Sequence, residues 1–336
     1  MNILHVCKRF APSIGGVETH VLEVAREQVA RGFTVTVLTQ ATAASQKQTE
    51  IIDGITVIRI PVKTAEEKKA VWKAIGTHSN LFKAANVIQV HDVFWWLLPY
   101  YLLIIGKCYT TFHGWETEYP IPISAKLQRY VYAHLSKKTV HIGSWIQKYY
   151  WDKPSVVMYG GTTIPKKVPV HTGKLKKAVF LGRLSHDNDI ENYVFLANIL
   201  KEEFSGFSIQ WIGDGECKKM CSEVGVVTGF VSNPTDYIAK ADVVFAASYL
   251  SILQAQAYGK PVVSLYSNPL KYEYLQSLPT RVSLICRDQA VDAYAELSIL
   301  FEYPERVLQI SETAARLTKD YSWQKIVDVY QSLWQK

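Results

Sequence analysis

A chain of 336 residues with 48% apolar side chains, 37 basic and 30 acidic groups and a net charge of +7 has room for two packed domains of ordinary size. The mild, dispersed charge excess suits an anionic substrate or membrane surface and, without a basic reading helix or an RNA-binding signature, argues against nucleic acid as a partner. Five cysteines, an odd number in a long chain, argue against a disulfide framework; Cys217 and Cys221 lie one helical turn apart with no second pair at zinc-site spacing, so reduced thiols are expected.

The chain opens with an apolar run at residues 2–7, then a Pro/Ser/Gly turn, then an amphipathic period over residues 16–31. Gly15 and Gly16 stand where strand hands over to helix. They serve either a tight turn or a set of bare amides facing an anion. Further β-branched runs predict strands at 34–39, 55–60, 86–90, 108–112, 139–143 and 155–159, with helices through 66–84 and 123–136. The most apolar stretch, "VFWWLLPYYLLIIG", is shorter than the roughly 20 residues a spanning helix needs, and Pro99 interrupts it. A buried or interfacial helix turning at Gly106 is expected. No signal-peptide pattern precedes Asn2, so a cytoplasmic protein is expected, soluble or peripheral at the inner face of a membrane.

"GGTTIPKKVPVHTGKLKK" then breaks the alternation and reads as an interdomain linker. Beyond it strands are expected in "KAVFLG", "FSIQWIG", "VVTGF", "DVVFAAS", "PVVSLY" and "RVSLIC", with helices over 189–202, 234–240, 251–258 and 289–301 and a last helical pattern, "YSWQKIVDVYQSLWQK". Strand–helix alternation implies parallel β-α-β units, hence an α/β protein of two doubly wound Rossmann-like domains, residues 1–164 and 165–318. Ligands of such sheets lie outside the carboxyl ends of the strands, and a cleft faced by both domains is the default site.

Taken in order, "FAPSIGGVETHVLEVAREQVARGFTVTVLT", "VIQVHDVF", "TTFHGWE", "VFLGRLS", "IGDGE", "ADVVFAAS", "AQAYGKPVV" and the terminal "YSW" helix resemble the family-four group of retaining GT-B glycosyltransferases over nearly the whole chain. The resemblance implies an N-terminal acceptor domain, a C-terminal nucleotide-sugar domain, and residues 319–336 crossing back as a helix onto the first domain. It implies no cofactor and no metal, with a nucleotide-diphosphate sugar as donor substrate and a glycan or lipid-linked acceptor as partner. Gly15 and Gly16 then lie beside the donor phosphates and the acceptor, and Gly16 and His113 belong to the reaction centre. His113, at a predicted strand end, matches the histidine that hydrogen-bonds the transferred sugar; imidazole can donate or accept near neutrality. His91, also at a strand end, reads as structural. Glu116 and Glu118 follow His113 and are acceptor-orienting candidates.

In "VFLGRLS", Arg183 matches the cation on the donor diphosphate, where a planar guanidinium suits phosphate oxygens. The family's second cation, a lysine, falls on Asn188, with Lys260 the nearest candidate to compensate. Of the family's two donor-binding glutamates, the sugar-side one has no counterpart and the helix-side one is matched by Gln254, while the amides of Ser251, Ile252 and Leu253 are expected to point at phosphate from a helix start. Base contacts are expected at Phe230 and Val231 in "TGFVSN".

"IGDGECK" is no dinucleotide fingerprint, because Lys218 stands where the third glycine belongs. Neither a P-loop nor a hydrolase elbow is present, and no paired carboxylates suggest a protein nucleophile. "ISAKLQRYVYAHLSKK" mixes Lys126, Arg129, Lys137 and Lys138 with Tyr130 and Tyr132 and is either a solvated basic face or a membrane contact. Three functions fit: a glycosyltransferase; a nucleotide-sugar or glycan binding module of the same fold without turnover; and a nucleotide-sugar epimerase.

Overall fold

The computed structural model describes residues 1–43, 45–62, 68–114, 119–169 and 174–335. It divides into two units, Met1–Met158 with Trp323–Lys336, and Tyr159–Ser322. The divisions fall at 158/159 and 322/323, where the sequence suggested 164/165 and 318/319.

In the first unit the elements run β1 (Asn2–Cys7), α1 (Gly16–Ala30), β2 (Thr34–Gln40), β3 (Thr49–Ile52), β4 (Ile55–Ile60), α2 (Lys68–Gly76), α3 (Ser79–Ala84) and β5 (Val87–His91). A 3-10 stretch, Phe94–Tyr100, leads to α4 (Tyr101–Ile104), β6 (Cys108–Phe112), α5 (Ile123–Leu135), β7 (Lys138–Ile142), α6 (Ile146–Tyr149) and β8 (Val156–Met158). The sheet order is β3-β4-β2-β1-β5-β6-β7-β8, parallel except for β3 against β4. The sequence reading had no β3. It is one arm of a hairpin closed by Asp53 and Gly54, both at positive φ, the backbone a two-residue turn of this hand requires. The apolar run is not a regular helix: Phe94, Trp96 and Leu97 are buried in the 3-10 stretch and the chain turns at Gly106 (φ 79°). Among the described residues no helix is long and apolar enough to cross a membrane.

The second unit contains β9 (Lys177–Leu181), α7 (Ile190–Glu203), β10 (Ser208–Ile212), α8 (Lys218–Val224), β11 (Val226–Val227), α9 (Thr235–Lys240), β12 (Val243–Ala246), α10 (Tyr249–Ala257), β13 (Val262–Leu265), α11 (Pro269–Gln276), β14 (Leu284–Arg287), α12 (Ala290–Glu302) and α13 (Pro304–Thr318). Its sheet, β11-β10-β9-β12-β13-β14, is parallel throughout and buries Phe180, Trp211 and Phe245 with Tyr193 of α7 and Leu297 of α12. The segment read as an interdomain linker belongs to this unit in its described part. Thr162 bridges to Ser322, and a Cβ added to Gly160 would lie 2.6 Å from the Leu250 side chain.

Both sheets reverse their strand order once. In the first, the chain steps outward from β1 to β2 and returns to the other side of β1 with β5; in the second it steps from β9 to β10 and returns with β12. The carboxyl ends of β1/β5 and of β9/β12 are therefore the switch points at which such sheets take ligands.

The last helix, α14 (Trp323–Gln335), packs into the first unit. Trp323, Ile326, Val327, Tyr330, Leu333 and Trp334 recur at helical spacing and are buried. Arg31, just past α1, donates to Asp328, to Gln331 and to the Gln324 carbonyl. The Trp334 indole donates to Gln89 of β5 at 3.1 Å. Trp334→Ala should destabilise this unit by about 3–5 kcal/mol; a denaturant midpoint at the wild-type value would show that α14 is not part of its core.

Candidate functional site

Buried parallel strands tolerate polar side chains only where each finds a hydrogen-bond partner. β1 and β5 carry several. The register sets His5 opposite Gln89 and Cys7 opposite His91, and β6 sets Thr111 opposite His91. Side chains alternate along a strand, so His5, Gln89, His91 and Thr111 share one face. His20 and Gln28, eight residues apart on α1, are both buried on that helix's covered side.

These groups form two hydrogen-bonded chains. In the first, Gln28 Oε1 lies 2.8 Å from His5 Nε2, His5 Nδ1 lies 3.0 Å from His91 Nε2, and His91 Nδ1 lies 2.9 Å from His113 Nε2. With the Gln28 carbonyl accepting, each imidazole donates through Nε2 and accepts through Nδ1, and the Nδ1 of His113 is left as an acceptor at the end of the row. In the second, the Trp334 indole donates to Gln89, Gln89 Nε2 donates to Thr111 Oγ1 at 2.9 Å, Thr111 and the Tyr330 hydroxyl are 3.0 Å apart, and Tyr330 lies 2.9 Å from His20 Nε2. The His20 and His113 rings meet edge to face, centroids 4.9 Å apart. His113 sits just past β6, half-buried; its amide donates to Asp92, which holds a left-handed backbone (φ 62°).

Burial sets the charge state of this cluster. Desolvation lowers His5 to about 4, helped back only by Gln28. Desolvation and the neighbouring His5 lower His20 to about 3. His91 and His113 are held well below 6.5, first by burial and then by adjacent imidazoles and, for His113, Arg129. The cluster is neutral at physiological pH. Arg129 is itself buried, bonded to the Gly114 carbonyl and stacked on Phe112 and Tyr150, so it is absent from the basic outer face that the sequence suggested for α5. Beside the half-buried Lys126, the outer side of α5 shows Ile123, Leu127, Tyr130 and Val131.

The turn before α1 has the expected form, with Gly15 as N-cap and Gly16 as first helical residue. The Glu18 carboxylate covers Gly15, where a Cβ would lie 2.3 Å from Oε2, whereas above Gly16 no atom lies within 4 Å. Glu116 and Glu118 lie outside the described residues.

At the switch point of the second unit, Arg183 follows β9. Its Nε donates to Ser185 Oγ at 3.0 Å and its guanidinium pairs with Asp187, both side chains more than half exposed. Asn188 belongs to the same loop, its amide donating to the Arg183 carbonyl at 3.0 Å. Phe230 is 45% exposed, beside Val231, in the loop after β11.

Residues 14–150 match the family model for Glycosyltransferase Family 4, and residues 175–296 match that for Glycosyl transferases group 1. The chain belongs to the group 1 glycosyltransferases. Its fold is GT-B: sucrose-phosphate synthase from Thermosynechococcus elongatus superposes with a TM-score of 0.77 at 13% identity, covering 99% of this chain and 98% of that one. The Anabaena protein HepE, solved in complex with UDP and glucose, gives 0.67 at 15% identity over 98% of each chain. A curated relative, the GDP-mannose:cellobiosyl-diphosphopolyprenol α-mannosyltransferase of Komagataeibacter xylinus, is 37% identical over 65 residues, which span 18% of this chain and 16% of that enzyme.

Two donor-side expectations for this glycosyltransferase are corrected. The helix carrying Gln254 begins at Tyr249, not at Ser251. The amides of Ser251 and Ile252 are consumed, the first by a capping box with Ser248 and the second by the Ser248 carbonyl at 2.9 Å, and Leu253 lies deeper in the helix. These amides do not point at a ligand. Lys260 is buried and donates to the carbonyls of Ala239 and Ala241 at 2.9 and 2.8 Å, closing the end of α9. Gln254 is half-buried on α10.

Sequence reasoning missed His5, His20, Gln28 and Gln89; the available signal was a polar residue inside each otherwise apolar run, "ILHVC" and "VIQVH". Among the described residues it also missed a group that could ligate a metal. His186 Nδ1, the Glu191 carboxylate and Cys217 Sγ lie within 4.8 Å of one another, and Glu191 raises the His186 pKa.

The depressed imidazoles make stability depend on pH with a defined sign. Unfolded, they take up protons below about 6.5; folded, they do not until far lower. The fold therefore keeps its full stability above about pH 6.5 and loses it as the pH falls toward 4, by about 1.4 kcal/mol per pH unit for each imidazole. Denaturation at pH 7.5 and 5.5, above the carboxylate range, should show this loss; equal midpoints would mean that the histidines are charged in the fold.

Proposed function

We propose that this glycosyltransferase moves a sugar from a nucleoside-diphosphate sugar to a glycan or lipid-linked acceptor, with retention at the anomeric carbon and without a metal ion. The observation that carries the reading is the Arg183 guanidinium, 60% exposed at the switch point of the second sheet. Its pair with Asp187 is exposed and so contributes under about 1 kcal/mol, which a multiply charged ligand can replace. Cleavage of the glycosidic bond builds negative charge on the leaving diphosphate, and a fixed cation there stabilises it. In front-side attack that same diphosphate accepts the acceptor's proton.

The anomeric carbon becomes positive as the bond breaks, so an imidazolium beside it would raise the barrier. The neutral imidazole row answers that requirement: His113 offers a lone pair to a sugar hydroxyl and adds no charge. UDP in the HepE complex and GDP-mannose in the name of the Komagataeibacter relative support a nucleotide donor with uridine or guanosine as base. The relative's diphosphopolyprenol acceptor, together with exposed Ile123, Leu127, Tyr130 and Val131 on α5, supports a lipid-linked acceptor and a peripheral membrane contact. A second reading, binding without turnover, draws on the neutral Gln254 and the consumed α10 amides.

Titration calorimetry with UDP- and GDP-sugars, run beside transfer and acceptor-free interconversion assays, separates these readings. Transfer resistant to a chelator supports the proposal; binding with no turnover over a broad acceptor panel supports the second reading; interconversion without acceptor would mark an epimerase. Arg183→Ala should weaken nucleoside-diphosphate binding by about 1.5–3 kcal/mol, and unchanged affinity would remove Arg183 from the site. His113→Ala should lower turnover about ten- to a hundredfold with nucleotide affinity nearly intact; full activity would make His113 structural.

A further inference from the structure

Four charges gather at the switch point of the second sheet. Arg183 and Asp187 are described above. Asp189, half-buried at φ 62°, stands immediately before α7 and accepts from the Asn192 side-chain amide, and Lys271 comes from the first turn of α11. The Lys271 side chain is 7% exposed. Its ammonium donates to the carbonyl of Ala247, the residue after β12, and stands 4.8 Å from the centre of the Tyr274 ring. Arg183, Asp187 and Asp189 all act on it electrostatically.

Three structural devices hold this lysine. The Asn268 side chain caps α11 through the Lys271 amide at 2.8 Å. Tyr274 stacks on Tyr249, centroids 3.8 Å apart with ring planes 6° apart, and its hydroxyl accepts from the Tyr249 amide at 2.7 Å. α11 is thereby tied to the start of α10. The ammonium thus reaches the end of β12, beside β9, while Asn188, in the Arg183 loop, carries no charge and spends its amide on that loop.

We propose that Lys271 supplies the second positive charge of the diphosphate site. Without it, Arg183 is the one cation facing Asp187 and Asp189, with Glu191 acting on Asp189 as well, a balance that repels a diphosphate. With it a second cation offsets those carboxylates, and displacement of Asp187 from Arg183 leaves two cations for the phosphates. Burial makes the second cation the stronger one, because solvent screens it less. It also lowers the Lys271 pKa to about 8, although Asp187 and Asp189 oppose that shift. This inference rests on the nucleotide-sugar reading given above.

The test is calorimetric titration of the full chain with UDP, GDP and inorganic pyrophosphate. Lys271→Met, which keeps the length of the side chain, should weaken all three about ten- to a hundredfold without changing the stoichiometry. Asn188→Lys in that background should recover most of the loss by placing a cation on the same loop. Asn188→Lys in the wild-type chain should gain less than about threefold, because the second charge is already present. Wild-type binding with Lys271→Met within about twofold of it would overturn the inference and leave the nucleotide reading standing, as would a tenfold gain from Asn188→Lys alone, which decides the matter even if Lys271→Met does not fold. No binding of any probe to the wild-type chain would overturn both.

Discussion

Three imidazoles bonded end to end beneath a helix bring any two charges into contact, and burial disfavours even a single one. A first extra proton on His5, His91 or His113 meets desolvation, and a second meets charge repulsion as well. The remedy is a fixed direction of hydrogen bonding, begun by the Gln28 carbonyl and ended by the lone pair of His113. α14 supplies the second row through Tyr330 and Trp334. The last helix of the chain therefore helps set the chemistry of a residue more than two hundred positions earlier.

The second unit solves the opposite problem. It keeps charge near the carboxyl end of its sheet, and the charges come from loops and helix starts, not from within strands. Arg183 is exposed and exchangeable; Lys271 is buried and anchored. Polar groups collect at the same topological position in both sheets because the reversal of strand order leaves the strand ends uncovered there. Fixed charges suit a ligand that is already ionic, and neutral donors and acceptors suit one that becomes charged only as it reacts.

Most of the strands and their parallel β-α-β connection were legible in the sequence, as β-branched runs separated by amphipathic periods. β1, β4 and β6 begin and end where those runs do. The site was less legible. His113 and Arg183 stood out by their place after a strand, whereas His5, inside "ILHVC", became meaningful only when the register set it near His91. Lys271 lies far along the chain from Arg183, and only the turn from β13 into α11 brings it back to the sheet end. The start of α10 was misjudged because Ser248 and Ser251 form a reciprocal cap that the sequence reading did not weigh. The GKP lysine, Lys260, and the basic helix residue, Arg129, turned out to serve buried carbonyls and rings, an outcome that depends on three-dimensional neighbours alone.

The most direct test of the neutral row is nitrogen-15 NMR of histidine-labelled protein between pH 7.5 and 5. The signals of His5, His91 and His113 should stay those of neutral imidazole throughout, with the proton on Nε2 in each. An imidazolium signal from any of the three growing in above pH 6, or a proton on Nδ1 of His113, would contradict the directional chain on which the account rests.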